Sequence, residues 1–155
     1  MDATKLHLIL NYYPAFAGVI GTVLLAVGMF RGSEKLRRAS LKLLIVIAAF
    51  TFPVLVTGEI AGGSGQRNGT YTGVTAESLE GHKSFARPTF LLIEICGIAA
   101  FVGLLLMQRG SNAVRWVLPL TLVISIAASV AVVATIHMGR QIKWATLGAS
   151  VTATK

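Results

Sequence analysis

The chain has 155 residues, of which 54% are hydrophobic and only 13% charged. A soluble domain carries about 25% charge, and a fold this small has too much surface to cover with so few charges. Together with a mean hydropathy of +0.73, this excludes an ordinary soluble enzyme and a disordered chain. The net charge of +8 lies between apolar runs rather than along one face, which excludes a nucleic-acid-binding arm. The single cysteine, Cys96, excludes an internal disulfide framework and a Cys-rich metal or iron–sulfur site.

Four long apolar runs follow in order: Leu8 to Phe30, Leu43 to Ile60, Thr89 to Met107 and Trp116 to Ile136. A bilayer core of about 30 Å takes roughly 20 helical residues, and each run has about that length. The runs are continuous and do not alternate, so a β-barrel does not fit, whereas helices satisfy their own backbone groups in lipid. The expected fold is all-α: one polytopic membrane domain, a four-transmembrane-helix bundle with spans near 8–30, 41–60, 87–107 and 114–137. Residues 61–83 form the expected outer loop.

The first run does not read as a cleavable signal peptide. Its start carries one acid and one base, and its apolar stretch exceeds a signal core. The basic cluster follows it instead: Arg31, Lys35, Arg37, Arg38 and Lys42. Held in the cytoplasm, that cluster places both termini outside. The short third connection adds Arg109 and Arg115 to the same side. The other side carries Lys5, Arg67, Lys83, Arg87, Arg140, Lys143 and Lys155, spread over more residues. The outer loop opens Ala61-Gly62-Gly63-Ser64-Gly65, a flexible composition, and Thr75 is placed to cap a short turn reaching Glu80.

Pro14, Pro88 and Pro119 are expected within the first turns of their helices, where a missing N–H costs little. Pro53 lies inside the second run and should free the carbonyl of Ala49. Ala17 with Gly21, Ala99 with Gly103 and Ala127 with Ala131 form small-xxx-small pairs suited to close helix packing. No internal repeat is evident, although two tandem halves would suit the pair of short inner connections.

The polar residues carry the chemistry. His7 precedes the first span, His82 precedes the third and His137 ends the fourth. With the termini outside, all three lie near the outer interface, and Glu59 joins them. Two facing helices can supply two axial imidazoles to a haem iron, and histidines with Glu59 suit zinc or another transition ion. Lys5, Lys83 and Arg87 are near enough in sequence to meet haem propionates, and no Cys-x-x-Cys-His is present for covalent attachment. The plainer alternative is a polar interfacial belt; it is the better reading for His137, while His7 and His82 are the stronger ligand candidates. Glu94 falls inside the third apolar run, where an ionised carboxylate is costly. It calls for a bundle-interior position, a proton, or a partner such as Asn11, Tyr12, Thr51 or Ser125. Tyr12, Tyr13, Trp116 and Trp144 match an aromatic belt, with Tyr12 also a candidate hydrogen-bond donor to a bound cofactor.

The opening Leu6-His7-Leu8-Ile9-Leu10-Asn11-Tyr12-Tyr13-Pro14, the Thr57-Gly58 that closes the second span and the Gly81-His82 that leads into the third resemble a family of small bacterial four-helix membrane proteins of unassigned function. That family begins Leu-His-Pro, then a second histidine, then Phe-Pro; here Leu8 replaces the proline and Tyr12 the second histidine. The resemblance implies b-type haem proteins or redox-complex subunits, with His7 and His82 as the retained pair.

The expected function is a non-catalytic subunit of a respiratory or electron-transfer complex in the bacterial inner membrane. It would hold one haem b near the outer face through His7 and His82, with Lys83, Arg87 and Tyr12 around it, and pass electrons between an extracytoplasmic redox partner and quinone. Its partners are then the lipid bilayer and other subunits of that complex, with no nucleic acid. Two alternatives stand beside it: a cofactor-free anchoring subunit, and a small proton-coupled transporter using Glu94.

Overall fold

A computed structural model describes residues 12–67 and 76–152, with side chains at 12–60, 80–81 and 83–138. These residues form four helices: α1 (Tyr12–Phe30), α2 (Glu34–Arg67), α3 (Ala76–Gln108) and α4 (Val114–Thr152). The chain is all-helical over this range, and all four helices are long and apolar enough to cross a membrane. Each helix packs on the next and α4 returns to α1, while among the described residues the diagonal pairs bring no Cα atoms within 8 Å of each other. The bundle is therefore square, with neighbours antiparallel. Two tight turns, α1–α2 and α3–α4, share one end, called here the turn end. The opposite end is the open end.

Both turns are built from the same residues. Met29-Phe30-Arg31-Gly32-Ser33 and Met107-Gln108-Arg109-Gly110-Ser111 repeat Met-x-Arg-Gly-Ser, and an arginine follows four residues later in each, Arg37 and Arg115. Gly32 and Gly110 sit at φ of +66° and +62°, the left-handed conformation that only glycine takes without strain. Ser33 N donates to Gly28 O and Gly32 N to Met29 O; Ser111 N donates to Leu106 O and Gly110 N to Met107 O. These are matching pairs of bonds that satisfy the last carbonyls of α1 and α3. Ser33 Oγ then accepts from Leu36 N at 3.4 Å as the cap of α2. The sequence thus contains a tandem repeat after all, confined to the turns.

The basic residues at the turn end have structural work as well. Arg37 donates to Gly28 O at 3.0 Å and Met29 O at 3.4 Å. Arg38 donates to Met107 O at 3.4 Å and pairs with Glu34. Cations thus sit on the carbonyl ends of α1 and α3, where the helix dipoles favour them.

Packing follows the membrane pattern of small residues and hydroxyls. Leu25, Leu41 and Ala100 are fully buried. Ser40 Oγ donates to Gly21 O at 2.7 Å, tying α2 to α1. Thr22 and Ser129 share a 3.2 Å hydrogen bond between α1 and α4, and Thr89 and Thr135 share one of 3.0 Å between α3 and α4. At Gly97 a Cβ would overlap the Ala48 methyl, so α2 and α3 approach closely there. Conversely, Phe16, Ile98, Val123 and Val130 stand 64–70% exposed. In water this surface would be a large apolar liability; in lipid it is the expected exterior.

Several sequence expectations change. The Gly-rich stretch 61–67 is helix, continuing α2 to Arg67. It contains no proline, and extending an existing helix avoids the cost of nucleation, leaving about 1 kcal/mol per glycine against alanine. Of the loop expected at 61–83, residues 61–67 and 76–83 are helical, and 68–75 lie outside the described residues. The position of Thr75, the expected cap, lies outside the described residues. Pro88 stands well inside α3 and Pro119 inside α4, not in their first turns, because α3 begins at Ala76, before its apolar run does. Of the small pairs, Ala17 and Gly21 are both buried and Gly103 is packed beside Leu41 and Leu118. Ala127 is exposed, and its neighbour Ala128 takes the core position instead.

Candidate functional site

At the open end, α2 and α3 carry the charges. Lys83 and Arg87 are one helical turn apart and share a face of α3. The antiparallel register sets Glu59 of α2 opposite both. Its Oε2 lies 3.4 Å from Lys83 Nζ and its Oε1 3.4 Å from an Arg87 Nη. Two cations share one carboxylate, so the cluster keeps one net positive charge. The Arg87 side chain is 69% exposed, and ion pairs this open contribute about 0–1 kcal/mol. Stability alone does not account for placing them there.

A pocket runs from this cluster into the bundle. Its walls include Leu55 and Gly58 of α2, Ala86, Phe90 and Ile93 of α3, Pro14 of α1, and Val132 of α4. Glu59, Lys83 and Arg87 form its rim, and Thr51, Thr89 and Thr135 are the polar groups further in. The apolar stretches run from Glu34 to Ile60 and from Lys83 to Gln108. The rim therefore lies at the edge of the apolar zone, and the pocket lies within it. From Glu59 to Thr51 the helix rise is about 12 Å, and from Arg87 to Ile93 about 9 Å. The cavity holds about 110 Å³, less than the roughly 150 Å³ apolar cavity that takes one benzene ring. The hydroxyls inside are already engaged: Thr51 donates to Ile47 O at 2.8 Å, and Thr89 and Thr135 divide their two protons between each other and the carbonyls of Phe85 and Ala131. The interior offers apolar wall and the rim offers donors.

Each residue singled out in the sequence can now be placed. Lys83 and Arg87 come together with Glu59. His82 is in α3 immediately before Lys83, but its side chain lies outside the described residues, as do all of His7 and Asn11. His137 is in α4, exposed, two residues past the pocket-lining Thr135. Tyr12 is 44% exposed at the start of α1, and Tyr13 packs on Phe50 of α2 with ring centroids 5.7 Å apart. Among the described residues no three His, Cys, Asp or Glu side chains converge as metal ligands.

Comparison with protein-family models, curated proteins and solved structures finds no match. The functional reading therefore rests on the residues themselves.

Glu94 is half-buried on α3, and its Oε1 is enclosed without a hydrogen-bond partner among the described residues. Two partners considered for it are committed elsewhere, Thr51 to Ile47 O and Ser125 to Leu122 O. It neighbours Ile93 in sequence but does not line the pocket. Sequence reading missed the pocket, which is enclosed by residues from all four helices. Its signal was present in the i, i+4 spacing of Lys83 and Arg87 opposite the one acid that ends the second run.

Proposed function

We propose that this chain is a multi-pass, non-enzymatic subunit of an electron-transfer complex in a bacterial cytoplasmic membrane. Its turn end faces the cytoplasm, and its pocket holds an amphipathic molecule at the outer end. The observation that carries the reading is the pocket itself, with apolar walls within the apolar zone and a charged rim at its edge. The topology rests on Arg31, Lys35, Arg37, Arg38, Lys42, Arg109 and Arg115, which are crowded at the turn end and favour the cytoplasmic side.

The electron-transfer assignment rests on His7 and His82, each placed in sequence just ahead of an apolar run. At about 110 Å³ the pocket does not take a haem macrocycle. A haem would be held by His7 and His82, with Lys83 and Arg87 as counter-charges to its propionates. A haem would supply one-electron transfer; the chain would supply ligands and counter-charges. An absorbance spectrum of the purified protein tests this. A reduced-minus-oxidised b-type band that H82A abolishes is the expected result. Its absence removes the haem and leaves the pocket to be judged by ligand binding.

A second reading, an anchoring subunit without cofactor, is favoured by Glu94. A half-buried carboxylate in an apolar stretch is costly, and a polar group from a neighbouring subunit meeting its open side would lower that cost. Cross-linking from position 94 to another chain in native membranes would support this reading.

A further inference from the structure

We infer that the pocket between α2 and α3 takes a single apolar chain carrying an acidic head, a carboxylate or phosphate seated between Lys83 and Arg87. This rests on the reading of the pocket as a site for an amphipathic molecule, and it names the chemistry of the head.

Three observations lead to it. The first is charge. Glu59 neutralises one of the two cations at the rim, and both of its contacts are single and long, at 3.4 Å. Arg87 has five N–H donors in a planar fork matched to carboxylate and phosphate, and only one of them meets Glu59 among the described residues. A second anion has donors waiting for it. The second is depth. The charges stand where the apolar stretches begin, the level at which a lipid's head meets its chain. Beneath them the wall residues Leu55, Phe90, Ile93 and Val132 extend the apolar surface for about 9–12 Å. The third is width. The cavity is too small for a fused ring system and suits one chain. Gly58 and Ala86 at its upper walls keep the passage below the rim free of bulk.

Neutral ligands suit the site less well. A quinone ring has carbonyl acceptors but no charge to balance the excess cation. The protons of the threonine hydroxyls further in are already committed to one another and to their own helices.

The full chain in lipid nanodiscs is exposed to a long-chain fatty acid with a photoreactive group at its tail, and the adducts are mapped by mass spectrometry. Parallel samples receive the alcohol of the same chain and a phosphatidic acid carrying it. Adducts of the acid are expected on the segments around 51–58 and 86–93. The alcohol should label them about tenfold less, the scale of one charge-assisted contact. The stronger of the fatty acid and the phosphatidic acid identifies the source of the head. K83Q/R87Q should bring the acid down to the level of the alcohol. E59Q should raise acid labelling several-fold by removing the competing carboxylate, a gain that a misfolded variant does not produce. Equal labelling by acid and alcohol overturns the inference while leaving the pocket as an apolar site. No adduct in either segment from any of the probes overturns both. No gain in E59Q overturns the role of the rim charge.

Discussion

Gly97 is the sharpest point at which to test the packing. A Cβ on Gly97 would fall against the Ala48 methyl, far inside ordinary contact distance, with backbone close behind it. Neither a methyl nor a backbone segment can rotate away, so G97A forces α2 and α3 to part. Overpacking of this kind costs about 1–3 kcal/mol. Helix propensity acts in the opposite direction, because alanine is favoured over glycine by up to about 1 kcal/mol. That term shrinks in a membrane, where the unfolded state keeps its helices, so the clash decides the sign and G97A is destabilised. A48G removes the opposing methyl, and G97A/A48G returns one methyl to the crossing. The double variant should regain most of the loss, with a coupling of about 1–2 kcal/mol. Reversible unfolding in mixed micelles measures all four proteins. The reasoning is refuted if G97A is neutral or stabilised, or if the coupling falls below about 0.5 kcal/mol, the range of independent sites. The pocket residues Ile93 and Thr51 lie about one turn from this crossing, so G97A should also loosen ligand binding, and the double variant should restore it.

Three more expectations follow from the same contacts. G32A and G110A should each lose about 1–2 kcal/mol from forcing a side chain into the left-handed region, and by similar amounts because the turns match. A large difference in unfolding between the two would show that the turns are not equivalent. T89V should cost about 0.6 kcal/mol, the average for an interhelical hydrogen bond in a membrane, and T89V/T135V little more, since the second change removes a hydroxyl whose interhelical partner is already gone; additive losses in the unfolding assay would contradict the pairing. E94L should raise membrane-insertion efficiency in a translocation assay, where a central acid costs about 2.5–3.5 kcal/mol, and should release any neighbouring chain cross-linked at position 94. Unchanged insertion would place Glu94 outside the apolar zone.

The four helices were legible because lipid imposes one strong requirement, an apolar run of fixed length. Their ends were not, because an apolar run records where the bilayer stops and not where the backbone hydrogen bonds stop. α3 begins at Ala76 and α2 reaches Arg67, each well past its run, and Pro88 was misplaced for that reason. Glu59, Lys83 and Arg87 were each singled out from the sequence, but as accessories to histidines. Their direct pairing needs the antiparallel register of α2 and α3, which no local pattern encodes. The Met-x-Arg-Gly-Ser repeat escaped notice because it is confined to the turns. On a lipid-facing helix Val, Ile, Leu and Phe serve equally well, so any likeness between the halves fades everywhere except where a positive φ demands glycine.

Those matched turns bear on how such a bundle can arise. Each half, α1–α2 and α3–α4, contains two helices, an even number. Both halves therefore enter the bundle with their turns at the same end. Duplication of one hairpin and its joining head to tail yields this arrangement without inverting either copy, and two separate hairpins could form the same square by pairing side by side. Of the two seams between the halves, α2–α3 is spanned by the connection at 68–75, and it is this seam that carries the rim charges Glu59, Lys83 and Arg87. The α4–α1 seam holds the Thr22–Ser129 hydrogen bond instead. A joined pair of hairpins would thus have two unlike seams, one with a hydrogen bond across it and the other with the charged rim of the pocket.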